Sequence, residues 1–426
     1  MDMIKKLTAV FAAALVLALP SCKGKETGTD EVTQNTPSEG PAGIGVSTGS
    51  YNGLFDGLAE IELTLGEAEL STVIDHADAG VYCEADVRCN GDTVEKAGIK
   101  ARGNTSYVAE AGNNRYSFKI KFNKFTKGQK LNGLDELYLN NISYDPSCVR
   151  EYLAYSLFAR TEGVHAPLAT FAKLTVNGEY YGLYLAVEGI DDSFLKRSFG
   201  DNDGNLYEAD KGSAFVDADT STFSLENGKD TSFSKLTALY NALSTGDGID
   251  AVLDTESVLR YAAVIDVICG QESYLGEKAE NFYLYERSDG RLSIIPWDLK
   301  MSFGTDRSLR KTEYQIDSEM IKFSVTAPYF GVEAADRPLV GKLLEDAELS
   351  AKYLSYVRSC GEELASMLEK LPQLKTFIDP AVSSDTKRFY DDALYQAEFS
   401  DGENTLYGFI KRRCAFIASE LSTQEK

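Results

Sequence analysis

Cationic and hydroxyl side chains recur at every second residue in Arg115-Tyr-Ser-Phe-Lys-Ile-Lys-Phe122. A period of two places Arg115, Ser117, Lys119 and Lys121 on one face of a strand and Tyr116, Phe118, Ile120 and Phe122 on the other. Such a face can clamp phosphate oxygens, or it can balance nearby carboxylates in solvent. Upstream, Ile99-Lys-Ala-Arg-Gly-Asn-Thr-Ser106 sets a glycine and small hydroxyls just after another strand. Arg150 follows Asp145-x-Ser147 at the start of an expected helix and could serve either purpose. Glu188 ends a strand; half-buried there, it needs a cation, and Lys119 or Arg115 is the natural candidate. Ile295-Pro-Trp-Asp298 sets a carboxylate at a strand end beside the only tryptophan, and Asn281 begins the preceding strand. An aspartate and an asparagine brought together by a hairpin suit a hard, oxygen-ligated cation such as Mg²⁺.

The elements that must position these residues are β-rich first and helical later. Ile61–Leu65, Ala97–Ala101 and Tyr116–Phe122 alternate as strands. A helix is expected from about Pro146 to Arg160, with Asp145 as its N-cap. Phe171–Val176 and Tyr181–Val187 flank Asn177-Gly178, the favoured two-residue hairpin turn. Asp191 starts another helix, and the polar, acidic residues 200–230 read as a loop or insertion. Within it, Asp201-Asn-Asp-Gly-Asn205 begins like a calcium loop, but Gly212 stands where the closing glutamate belongs, so it reads as a turn. Thr231–Thr245, Thr255–Tyr274, 337–371 and 403–421 have helical spacing, and Asn281–Tyr285 and Leu292–Trp297 form a second hairpin around Asp289-Gly290. This order is α+β, with two lobes and a cleft between them.

Composition narrows the chemistry. The chain has 426 residues, 43 Lys plus Arg against 66 Asp plus Glu, and a net charge of −23. No nucleic-acid partner is expected, because that role needs a basic face to displace counterions from phosphates. A hydrophobic fraction of 43% with 24 Tyr and 21 Phe excludes a disordered acidic chain. His76 and His165 are the only histidines, too few for a multi-histidine zinc site and a poor basis for a Ser-His-Asp triad. Neither a P-loop nor a G-x-G-x-x-G motif is present.

Residues 1–22 have a basic start at Lys5 and Lys6 and an apolar run from Leu7 to Pro20, as a secretory signal does. The run ends Leu19-Pro20-Ser21-Cys22, which resembles a bacterial lipobox with Cys22 as the lipidated residue. Residues 23–50 are rich in Gly, Ser, Thr and Pro and read as a flexible tether. The expected location is therefore the cell envelope, outside the cytoplasm, at the periplasm or cell surface, with the lipid as membrane anchor. Export permits disulfides, and Cys83 and Cys89 could join across a hairpin, whereas Cys148, Cys269, Cys360 and Cys414 read as buried thiols.

The segments KARGNTS (100–106), RYSFKIKF (115–122), LDELYLNN (134–141), D-x-S-x-x-R (145–150), LTVNGEYYGLYLAVEGID (174–191), ENFYLYERSDGRLSIIPWD (280–298) and MSFG (301–304) together resemble the CotH family of spore-coat protein H-like proteins. The resemblance runs from about residue 54 to 420. It implies an atypical protein-kinase-like fold across 51–426, with an N-lobe of about 51–190 and a C-lobe of about 230–426. It further implies binding of ATP with Mg²⁺ (Mn²⁺ as an alternative) and phosphorylation of Ser or Thr in a Ser/Thr-rich segment of a partner protein. On that resemblance Asp298 is the metal-binding aspartate and Asn281 the asparagine before the aromatic strand. Lys119 and Arg115 lie on the nucleotide-facing strand, and Glu188 is the glutamate after the Asn-Gly hairpin. Glu272 takes the place of the family's catalytic aspartate, Lys300 that of an Asp or Asn, Glu280 that of a His, and Glu208 that of a Lys.

Three functions fit these residues: a membrane-tethered ATP-dependent kinase, a kinase-like scaffold without turnover, and a glycan-binding adhesin module in which tyrosines supply stacking surface.

Overall fold

Apolar–polar alternation builds seven strands that close into a barrel. They follow a short antiparallel pair, β1 (Ser38–Glu39) and β2 (Val46–Ser47), and are β3 (Ala59–Thr64), β4 (Cys83–Cys89), β5 (Asp92–Arg102), β6 (Ser117–Lys121), β7 (Glu136–Asn140), β8 (Ala169–Val176) and β9 (Glu179–Glu188). Their order around the barrel is β3-β4-β5-β6-β7-β9-β8. All neighbours are antiparallel except β3 and β8, whose parallel pairing from Ala59↔Ala172 to Leu63↔Val176 closes the ring. The computed structural model describes residues 38–39, 41–44, 46–47, 51–103, 108, 112–305 and 316–424. Cys22, the signal segment and most of the expected tether lie outside the described residues.

Ile61, Val87, Ile99, Phe118, Ile120, Leu137, Leu139, Leu174 and Tyr184 fill the barrel. The alternate residues of β7 and β9, Tyr138, Leu183, Leu185 and Val187, belong to a second and larger core. Strand β9 is thus buried on both faces, which explains its nearly unbroken apolar run. Asn177 at φ 49° and Gly178 at φ 82° make the β8–β9 turn, a left-handed pair that Asn-Gly adopts with little strain.

The second core contains a four-stranded antiparallel sheet of order β11-β10-β12-β13, with β10 Leu206–Ala209, β11 Phe223–Asn227, β12 Phe282–Glu286 and β13 Leu292–Pro296. The helices Thr255–Ile268, Ala347–Ser383 and Leu406–Gln424 pack together in the same core. The expected α+β class, β-rich first and helical last, is observed.

Three fully buried arginines join distant segments. Arg115 pairs with Asp385, and its Nε donates to the Asn141 carbonyl at 3.0 Å. Arg150 bonds Asp145 at 2.5 Å and Glu398 at 2.7 Å. Arg413 bonds Asp266 at 2.9 Å.

Four expectations change. Residues 41–44 are not solvent tether: Ile44 is fully buried in the large core, and Arg160 and Lys370 donate to the Gly43 carbonyl at 2.9 and 2.7 Å. The helix begins at Arg150, because the Asp145 carboxylate instead accepts from the Ser147 and Arg150 amides and holds a turn before it. Residues 206–209 and 223–227 are strands of the second sheet rather than loop, packed through Leu206, Tyr207 and Phe223. Cys83 and Cys89 are free thiols on the same extended strand, about 20 Å apart by strand rise, so no hairpin brings them together.

Arg150→Ala leaves Asp145 and Glu398 without their buried counter-charge and is expected to cost about 3–5 kcal/mol. The check is the midpoint of urea unfolding, which should fall with the slope unchanged.

Candidate functional site

Strand pairing places Lys119 opposite Tyr138 and Lys121 opposite Glu136. Both lysines therefore reach the carboxylate at the start of β7, Lys119 at 2.7 Å and Lys121 at 2.6 Å. Burial works against the charge on Lys119, but Glu136 outweighs it and holds the lysine above its ordinary pKa. Burial likewise opposes ionisation of Glu136, yet the two lysines hold it below the usual carboxylate value. Lys119 and Glu136 thus hold each other in the charged form.

The Tyr138 ring extends this array. The Lys119 ammonium lies 5.0 Å from its centroid and the Arg102 guanidinium 4.7 Å, and Arg102 also lies 5.8 Å from the Trp297 ring. Tyr138 and Trp297 meet edge to face at 4.8 Å. Arg102 is 4.0 Å from an oxygen of Asp298, whose two carboxylate oxygens each accept from the Lys300 ammonium at 2.5 Å. The sequence Lys121–Glu136–Lys119–Tyr138–Arg102–Asp298–Lys300 is continuous: four cations, two carboxylates and one ring.

Asn140 locks the array to the helix Arg150–Arg160. Its oxygen accepts from Arg102 at 3.0 Å, and its amide nitrogen donates to both Glu151 oxygens at 2.9 and 3.0 Å. Burial, then the neighbouring Asp298 charge, pushes Glu151 up to about 7. The backbone N–H of Asp298, at φ 48°, donates to the Tyr155 hydroxyl at 3.2 Å, so the same helix fixes the strained residue after Trp297.

Two openings flank the array. A polar cleft of about 170 Å³ is lined by Lys119, Lys121, Tyr138, Asp191, Glu208 and Tyr283. Burial pushes Asp191 up to about 8 and raises Glu208 above the usual carboxylate value. A wider groove of about 330 Å³ is lined by Glu272, Lys278, Met301, Phe323 and Phe330 among others. Lys278 bridges Glu272 at 2.8 Å and Glu280 at 3.3 Å. The Glu272 carbonyl accepts from the Asn281 amide at 3.0 Å, and the Asn281 carbonyl accepts from the Trp297 N–H at 3.1 Å. Glu272, Asn281 and Asp298 are thereby linked through the ends of β12 and β13.

The expected residues thus divide. Lys119 and Asp298 belong to the array, Glu272 lines the groove beside it, and Asn281 connects the two through the Glu272 carbonyl and the Trp297 N–H. Arg115 and Arg150 do not: both are buried in the structural pairs described above. Glu188 meets neither Lys119 nor Arg115. It is fully buried and bonded by Arg197 at 2.6 Å, the Tyr51 hydroxyl at 2.8 Å and the Leu168 N–H at 2.9 Å. Glu136 fills the role expected of Glu188. A signal for it was present, since a period of two in Glu136-Leu-Tyr-Leu-Asn140 puts Glu136, Tyr138 and Asn140 on one face. Arg102 sits in the KARGNTS segment, where only the glycine and hydroxyls had drawn attention.

The donors present do not suit the divalent cation suggested by the Asp–Asn pairing. Asp298 supplies one carboxylate, and an ammonium of the chain itself covers both its oxygens. At 4 Å and an effective dielectric constant of 20, a doubly charged ion is repelled by each neighbouring unit cation by on the order of 8 kcal/mol. Among the described residues, no cluster of three or more His, Cys, Asp or Glu is placed to hold a metal.

A family model described as CotH kinase protein matches residues 99–417. The chain is 24% identical over 341 residues to the inner spore coat protein H of Bacillus subtilis (strain 168), covering 74% of this chain and 87% of that protein. It is 37% identical over 84 residues to an inner spore coat protein H-like protein of the same organism, covering 20% and 25% respectively.

The Glu151 shift has a definite sign. A carboxyl whose folded pKa is raised from 4.5 to about 7 stabilises the fold while protonated, and that stability is lost as pH rises through about 7. Glu151→Gln stays neutral, so its unfolding free energy should fall less than the wild type's between pH 5 and 8, by up to about 3 kcal/mol. Urea melts of both proteins across that range provide the measurement; parallel curves would remove Glu151 as the titrating group.

Proposed function

The chain belongs to the CotH kinase protein family, and from that premise we propose that it is an envelope-anchored, ATP-dependent protein kinase acting on Ser or Thr of a partner protein. The observation that carries this reading is the Lys119–Glu136 pair at 2.7 Å on adjacent strands, opening on a polar cleft. Phosphoryl transfer needs positioning and neutralisation of phosphate charge more than covalent chemistry from the protein. A lysine held charged and aimed by a glutamate supplies both. In the kinase-like division, 51–190 forms the N-lobe and 230–426 the C-lobe, with the nucleotide between them.

Lys119 and Lys121 face phosphate oxygens, and the buried Tyr138 and Tyr283 wall the cleft beside them. Glu208 lines the same cleft and repels phosphate when ionised. The groove beside Glu272 suits an acceptor segment: Met301, Phe323 and Phe330 give it apolar contact, and Glu272 can accept the proton of a Ser or Thr hydroxyl once freed from Lys278. Mg²⁺ or Mn²⁺ would enter with the nucleotide, but no step is assigned to it, because Lys300 stands at Asp298. Among the described residues no helix is long and apolar enough to cross a membrane. The proposed anchor is a lipid on Cys22, and no nucleic-acid partner is proposed.

A second reading is a kinase-like scaffold that binds nucleotide without turnover. The Lys300–Asp298 contact favours it, since the carboxylate expected to act on phosphate is already neutralised. The glycan-binding alternative has no specific geometry behind it.

Full-length chain incubated with γ-labelled ATP, divalent metal and a Ser/Thr-rich acceptor should transfer label, and Asp298→Ala should reduce transfer at least about 100-fold. Lys119→Ala should weaken ATP binding about tenfold or more, equivalent to about 1.4 kcal/mol. A nucleotide-induced thermal shift without any label would establish the scaffold; neither shift nor label would exclude both nucleotide readings.

A further inference from the structure

Two cations of this chain, Lys300 and Arg102, converge on one carboxylate. Lys300 is 2.5 Å from both oxygens of Asp298, and Arg102 is 4.0 Å from one of them. Arg102 is not free to swing away. It is bonded to Asn140 at 3.0 Å and lies over the rings of Tyr138 and Trp297. The two cations also line a common cavity of about 40 Å³ that Gly103, Ser117 and Asn140 help enclose. That volume exceeds what one water needs. Two further carboxyls line it: Asp145 is held by Arg150, and Glu151, bonded by Asn140, is pushed toward its neutral form by burial and the Asp298 charge. Asp298 is thus shared between an ammonium at bonding distance and a guanidinium at 4.0 Å, and both cations line the cavity.

Lysine is well suited to this position. Its ammonium has three donors on a flexible stem, so it can keep one bond to Asp298 and turn another toward a new oxygen. A carboxylate that anchors a mobile ammonium performs the electrostatic task that a carboxylate performs when it anchors a metal ion: it places positive charge where anionic oxygen will sit.

We propose that Lys300, held by Asp298 and supported by Arg102, takes the place of the divalent cation, so that the phosphate oxygens of a nucleoside triphosphate bind to these two side chains directly. The proposal rests on the nucleotide reading above and adds that phosphate recognition here is independent of metal. Lys300 is a positioning and binding residue for the phosphate. Its removal, rather than its presence, creates a need for metal: Lys300→Asn leaves Asp298 and an amide oxygen, a hard-cation donor pair.

The test is ATP binding by the full chain, read as thermal shift and as titrated affinity, in EDTA and then in excess Mg²⁺ or Mn²⁺. Wild-type affinity should change less than about threefold between the two conditions, a difference below about 0.7 kcal/mol. Lys300→Asn should bind at least about tenfold more weakly in EDTA and recover when the metal is added. Lys300→Arg should retain binding in EDTA, which separates loss of charge from damage to the fold. Wild-type binding that EDTA abolishes overturns the inference and leaves the nucleotide reading standing. Metal-independent binding that survives Lys300→Asn unchanged overturns the assignment to Lys300. Absence of binding under every condition overturns both.

Discussion

In an acidic chain with limited cationic side chains, much of the structure depends on where the buried arginines go. Arg115, Arg150 and Arg413 are shut away from solvent, and each ties together segments far apart in sequence. A buried ion pair adds little net stability over an apolar pair of the same volume, but a lone buried charge is very costly. The consequence is specificity of arrangement: Asp385 must meet Arg115, and Glu398 must meet Arg150, or the charges are stranded. Arg115 also bonds carbonyls of Asn141 and Leu183, so it fixes the end of β7 against β9. Arg150 starts the helix that carries Glu151 and Tyr155, the two residues that approach Asp298 from behind. The site geometry therefore depends on pairs that never touch a ligand.

The same dependence explains which parts were legible in the sequence. The hairpin around Asn177-Gly178 and the β12–β13 hairpin were readable because turn chemistry and alternation are local. The cationic face of β6 was readable for the same reason, and Lys119 lies where that face predicts. Arg115 was misread because it precedes the strand, where side-chain alternation no longer governs direction. Its partner Asp385 lies 270 residues away, beyond anything spacing can show. Glu188 illustrates the opposite error. Half-burial beside a strand cation is the expectation, whereas Glu188 is fully buried and bonded by Arg197, nine residues on and six past the Asp191 cap.

The barrel itself had a weaker signal. Its closure relies on the parallel pairing of β3 with β8, strands separated by about a hundred residues, and no local pattern encodes that contact. Likewise β10 and β11 looked like loop because each is short and flanked by acidic residues. They become strands by completing the sheet begun by β12, and Leu206, Tyr207 and Phe223 stabilise them by entering the large core. Ile44 shows the same principle in miniature: one apolar residue in a polar stretch is enough to dock it when Arg160 and Lys370 satisfy the carbonyls beside it.

The net charge and the site then become consistent. A surface of this sign repels polyanions, and the Debye length of about 8 Å at physiological ionic strength limits how far any local cationic patch can reach outward. Lys119 and Lys121 line the polar cleft and Arg102 and Lys300 the smaller cavity, and each adjoins a carboxylate or a ring that fixes its direction. Glu136 and Asp298 each lie between two cations, and each therefore neutralises only half of the charge beside it. A compact anion gains most where the dielectric is lowest and the donors are already in place. The acidic balance that argues against a nucleic-acid partner thus leaves positive charge only where neighbouring side chains hold it in place.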